Sequence, residues 1–148
     1  MISLLVAALI SGQDYNDPDN RCANPMSGLD VSACAEMLLT AETERMTVYL
    51  AAANGTLDGR KSETGEDFAG VLARSQTQWE AYADAACGLA RDASGYTAAD
   101  CLTQLTQERT LYLWTYFLVQ DDGPALLDQP EPIMVETAPE AAGGEPEA

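Results

Sequence analysis

The chain contains no histidine. That absence removes the Ser-His-Asp and Cys-His arrangements of nucleophilic catalysis, together with every zinc site that uses imidazole. Cations are scarce too: 7 Lys and Arg stand against 24 Asp and Glu, a formal charge of -17. Phosphate binding depends on clustered Lys and Arg, so nucleic acid is not an expected partner. A basic protein is favoured electrostatically, although a large negative charge also serves simply to keep a protein soluble. Past residue 12 no apolar segment reaches eighteen residues, so stable membrane insertion of the mature chain is not expected. Strict alternation of apolar and polar residues, the mark of a half-buried strand, is almost missing.

Four cysteines are present, Cys22, Cys34, Cys87 and Cys101, and none forms the C-x-x-C of a zinc knuckle or a thioredoxin-type site. An even number at wide spacing reads as two disulfides, which require an oxidising compartment. Residues 1–12, MISLLVAALISG, supply a route there: a short apolar run followed abruptly by polar Gln13 to Arg21 has the form of an export signal. It lacks a leading cation, as a start lying further upstream would explain, and about ten apolar residues cannot cross a hydrocarbon core of about 30 Å. A periplasmic or secreted location follows. The chain divides into this signal, a helical domain over residues 13–119, and residues 120–148, a tail rich in Pro, Gly, Ala and acids that reads as disordered. Eight of the 24 acids lie in the tail, so the rest still carries 16 acids against 7 cations.

Between Cys22 and Val119 apolar residues recur at three and four, which predicts an all-α domain of about three antiparallel helices. Ser27-x-x-Asp30 has the spacing of a capping box, and Cys34, Leu38, Ala41, Val48 and Ala52 mark one face of a first helix ending near Asn54-Gly55. Asn54-Gly55-Thr56 is formally a glycosylation sequon, but a helix-ending turn explains the same residues. A polar loop with Arg60 and Lys61 leads to a second helix starting near Thr64 or Glu66, whose stripe is Phe68, Val71, Leu72, Ser75, Trp79, Tyr82 and Ala86. Thr97-x-x-Asp100 repeats the capping spacing before a third helix with Leu102, Leu105, Thr106, Arg109, Leu113 and Phe117 inward. Antiparallel neighbours bring all four cysteines to one end. Three pairings are open; Cys22 with Cys34 and Cys87 with Cys101 is the expected one, since each closes a short loop and clips a helix start.

The second helix carries Leu72, Gln76, Trp79, Tyr82, Asp84 and Cys87 as L-x-x-x-Q-x-x-W-x-x-Y-x-D-x-x-C, followed by Cys101-Leu102 and Thr106-x-x-Arg109-x-x-x-Leu113. With Cys22, Cys34 and the stretch from Ala41 to Tyr49, this resembles the LprI-type lysozyme-inhibitor domain of exported bacterial proteins. The resemblance implies a secreted or periplasmic binding protein that inhibits a cationic lysozyme by protein contact, without a catalytic site, metal or cofactor. Two positions depart from the family pattern: Arg45-Met46 stands where Leu-Asn is usual, and Ala83-Asp84 where Arg-Asp is usual.

The motif residues also have a structural reading. Trp79 and Tyr82 would fill the core, Asp84 and Arg109 would pair between the second and third helices, and Gln76 would satisfy a loop backbone group. Glu36 with Glu80 or Asp84 is the nearest thing to a catalytic carboxylate pair, and nothing fixes their separation. Asp14 to Asn20, DYNDPDN, lacks the Gly and Glu of a calcium loop. Beside inhibition, two other functions fit the composition: an envelope-associated binding module with another partner, and a small hydrolase.

Overall fold

The computed structural model describes Cys22 and residues 27–95 and 97–133. Among the described residues there are three helices, α1 (Gly28–Leu57), α2 (Phe68–Ser94) and α3 (Ala98–Leu113), and α3 continues as a π-helical turn over Trp114–Leu118. The export signal expected at residues 1–12 and the Asp14 to Asn20 stretch lie outside the described residues.

Local chemistry sets the helix starts. Ser27 accepts from the Asp30 N–H at 3.2 Å and Thr97 from the Asp100 N–H at 3.1 Å, so both capping signals operate. The second helix begins later than expected, at Phe68, because Asp67 caps it by accepting from the Gly70 N–H at 2.9 Å. Residues 58–67 form a hydrogen-bonded turn of their own, with Ser62 N–H donating to the Glu66 carbonyl at 2.9 Å and Gly65 at φ 84°. Only glycine adopts that left-handed geometry without strain. The first helix passes Asn54-Gly55 and stops three residues later, carried on by Leu57, which is buried in the core.

Met46, Tyr49, Ala53, Leu57, Leu72, Leu113 and Leu118 form the centre of that core, with Trp79, Trp114, Phe117 and Leu127 packed around it. The α3 stripe is as read from the sequence, since Thr106, Arg109 and Leu113 are buried. On α1 the expected face is only half-buried, and the deepest positions are Glu42, Arg45, Met46, Tyr49 and Ala53. The reason is that α1 is covered on two sides, by α3 and by the chain that follows it.

That following chain begins what the sequence reads as the tail. Residues 120–133 return along α1 as an extended strap. Leu126 N–H donates to the Leu118 carbonyl at 2.9 Å, the Trp114 indole N–H to the Leu127 carbonyl at 2.9 Å, and the Tyr49 hydroxyl to the Asp128 carbonyl at 2.6 Å. Arg45 then donates to the Glu131 carbonyl, and the Ile133 N–H to Glu42 Oε1 at 2.9 Å. The remainder of the expected tail, residues 134–148, lies outside the described residues.

Two disulfides, Cys22–Cys34 and Cys87–Cys101, close loops of 12 and 14 residues with Cα separations of 5.1 and 5.4 Å. These are the expected pairs. One clips the segment before α1 to its second turn; the other ties the end of α2 to the start of α3. Each lowers the entropy of the unfolded chain, worth about 3 kcal/mol for loops of this length.

Candidate functional site

Three of the motif residues, Gln76, Trp79 and Arg109, meet at the interface of α2 and α3. Gln76 and Arg109 are both buried, and Arg109 Nε donates to Gln76 Oε1 at 3.1 Å while Nη2 donates to Ser75 Oγ at 3.1 Å. The Gln76 amide in turn donates to Glu80 Oε1 at 3.1 Å and approaches the Met46 sulfur at 3.9 Å. Gln76 therefore relays between three helices and does not bind a loop backbone group. The Arg109 guanidinium lies 6.0 Å from the centre of the Trp79 ring and 5.2 Å from that of Tyr112, within cation–π range. Burial lowers the pKa of Arg109, partly offset by Tyr112 and Glu80, yet its high ordinary value keeps it charged. Thr106 is buried and donates to the Leu102 carbonyl at 2.7 Å, a role internal to its own helix.

Two further sequence expectations fail here. Asp84 does not pair with Arg109; it is exposed and has no hydrogen-bond or ion-pair partner among the described residues. Tyr82 does not fill the core; it is 60% exposed, while its neighbour Ala83 is 2% exposed. Both have one cause. The buried line of α2 runs through Leu72, Gln76, Ala83 and Cys87, and with Trp79 half-buried beside it the residues at 82 and 84 flank the line on the outside.

Beside this node α1 and α2 stand apart over α3 and leave an open groove of about 370 Å³. Leu39, Thr43 and Met46 form its α1 wall, and Trp79, Glu80 and Asp84 its α2 wall. Ala83 lies at the base. A second groove, of about 340 Å³, lies at the opposite end among Phe68, Val71, Tyr112 and Tyr116, with Arg60 over the Phe68 ring at 5.9 Å.

The most deeply buried charge is elsewhere. Glu42 is fully buried, forms an ion pair with Arg45, and accepts from Gln107 Nε2 at 2.8 Å as well as from the strap. Every partner of this carboxylate belongs to the fold, so the group is structural. Sequence reasoning missed it because two of the contacts to the Glu42–Arg45 pair come from Glu131 and Ile133, far along the chain. The apolar Leu126-Leu127 and Ile133 within an otherwise polar stretch were the available signal. Glu36 and Asp84 are exposed, and Glu80 is held by Gln76, so the carboxylates considered for catalysis are not gathered around a reacting centre. Among the described residues no three or more Cys, Asp or Glu side chains are placed to hold a metal ion, and no helix is long and apolar enough to cross a membrane.

The family model described as lysozyme inhibitor LprI matches residues 20–113, well over half of the chain, and the protein belongs to that family. No curated protein and no solved structure matches it. The family is one of inhibitors, not of enzymes.

Proposed function

We propose that this protein is an exported inhibitor that binds a cationic lysozyme and blocks it by protein contact. Membership of the lysozyme-inhibitor family over residues 20–113 is the observation that carries this reading. Export is supported by the two disulfides, which persist in oxidising compartments. The charge distribution supports the partner: the cations within α1 and α3, Arg45 and Arg109, are buried, so both helices show water acids without compensating cations. Such a surface attracts a basic enzyme at long range and raises the association rate.

The test is inhibition of a basic lysozyme acting on a cell-wall suspension by oxidised protein beginning at Gln13, across a salt series. A chain shortened after Ile133 is measured beside it. Inhibition is expected to be stoichiometric, to weaken as salt rises, and to survive removal of residues 134–148. Activity that disappears with those residues would identify a polyanion effect, and no inhibition at excess would leave a binding module with another partner.

A further inference from the structure

The groove between α1 and α2 has the chemistry of a seat for a cation. Its walls combine the apolar surfaces of Leu39, Met46 and the half-buried Trp79 with two exposed carboxylates, Glu80 and Asp84, four residues apart on α2 and hence on one face. Glu80 is partly compensated by Arg109 through Gln76, whereas Asp84 has no partner among the described residues. Apart from Arg109, which lies behind Trp79, the nearby cations of α1 and α2 are engaged elsewhere. On α1 the one cation, Arg45, is committed to Glu42 and the strap, and between Arg74 and Arg91 α2 has none. Arg74 itself is engaged by Glu66 and Arg91 by Asp92. Ala83, buried, contributes only a methyl group to the groove lining.

A guanidinium or ammonium on a long aliphatic stem fits these features together: methylenes against Met46 and Trp79, the charged head between Asp84 and Glu80. We infer that this groove seats an arginine or lysine side chain projecting from a basic protein partner. The inference rests on the inhibitor reading for the partner's identity, and the groove is then the place where lysozyme is held.

The experiment compares full-length oxidised protein with three variants for binding to a basic lysozyme at low salt. Asp84→Lys and Thr43→Lys place a cation on either wall at exposed positions; Asp121→Lys makes the same change in charge as Asp84→Lys, in the turn that follows Leu118. Unchanged melting temperatures establish that the folds are intact. Asp84→Lys and Thr43→Lys are expected to weaken binding at least tenfold, and Asp121→Lys less than threefold. If Asp84→Lys binds within threefold of the parent protein, or no more weakly than Asp121→Lys, the groove is not the contact surface even though the inhibitor reading stands. A hexa-arginine peptide probes the groove without lysozyme, followed by the NMR signals of the Trp79 and Trp114 indole N–H groups. A shift confined to Trp79 and lost in Asp84→Lys supports the cation seat, even if lysozyme itself fails to bind and the inhibitor reading falls. An unmoved Trp79 signal together with unbound lysozyme overturns both.

Discussion

Cutting the chain after Val119 and cutting it after Ile133 should give two very different proteins. The shorter one loses the carbonyl of Leu127 from the Trp114 indole, that of Asp128 from the Tyr49 hydroxyl, that of Glu131 from Arg45, and the Ile133 N–H from Glu42. Neutral hydrogen bonds contribute about 1 kcal/mol net and those to charged groups about 1.5 to 3, so the two of each kind together hold roughly 5 to 8 kcal/mol. A domain of this size has only about 5 to 15 kcal/mol in total, and the cut also opens Glu42 and Arg45 to water and removes Leu127 from the core. Urea unfolding followed by circular dichroism should therefore place the Val119-ending chain close to unfolded at room temperature. Its melting temperature should fall by about 20 °C or more, at roughly 4 °C per kcal/mol. The chain ending at Ile133 keeps every one of these contacts and should melt with the full-length protein. If the Val119-ending chain proves stable to within about 1 kcal/mol of the others, the strap is an ornament on a self-sufficient bundle and this account of the buried charges is wrong.

Four further perturbations follow from the same contacts. Glu42→Ala leaves the Arg45 guanidinium buried without its counter-ion and should cost about 3 to 5 kcal/mol in urea unfolding, by far the largest effect of any single acid. Replacing Cys87 and Cys101 together by alanine should cost about 3 kcal/mol under oxidising conditions and bring the protein close to its behaviour when that bond alone is reduced. Tyr82→Ala, on the outside of α2, should change stability by no more than about 0.5 kcal/mol, whereas Trp79→Ala should cost about 3 kcal/mol because that ring packs on the core; equal effects would contradict the helix rotation described above. Burial, followed in weight by the opposing influence of Arg45 and then by Asp128, leaves the Tyr49 phenol titrating above its ordinary value near 10. Because the folded value is the higher one, the stabilisation is complete below that pH and is lost as pH rises through the folded value; Tyr49→Phe should abolish the late step in an ultraviolet titration.

What was legible in the sequence was what neighbouring residues decide among themselves. The caps at Ser27 and Thr97 need only a partner three residues on. The disulfides join cysteines 12 and 14 residues apart, close enough for their pairing to follow from helix order. The inward face of α3 follows from periodicity, and the family from the spacing of Gln76, Trp79, Tyr82 and Cys87. What was illegible depends on distant residues or on a small rotation. Asp84 and Tyr82 stand within two residues of the buried Ala83, and spacing alone does not say which of three adjacent residues on a long helix turns inward. The polar burial of Glu42 and Arg45 runs against composition, and it becomes intelligible only when the strap is seen to supply partners from Glu131 and Ile133. The relay from Arg109 through Gln76 to Glu80 could not be ordered from sequence, since Asp84 is an equally plausible partner by type and position.

The strap also bears on the order in which the molecule is made. A chain that emerges N-terminus first, from a ribosome or through a membrane pore, presents Cys101 well before it presents Glu131 and Ile133. Both sulfur bridges can therefore be formed while the long face of α1 is still open and accessible to an oxidising enzyme. Glu42 and Arg45 wait in water during that interval, where a charged pair is easily tolerated. Arrival of the last residues then dehydrates them, so the seal can be applied to a chain whose cysteines have already been joined.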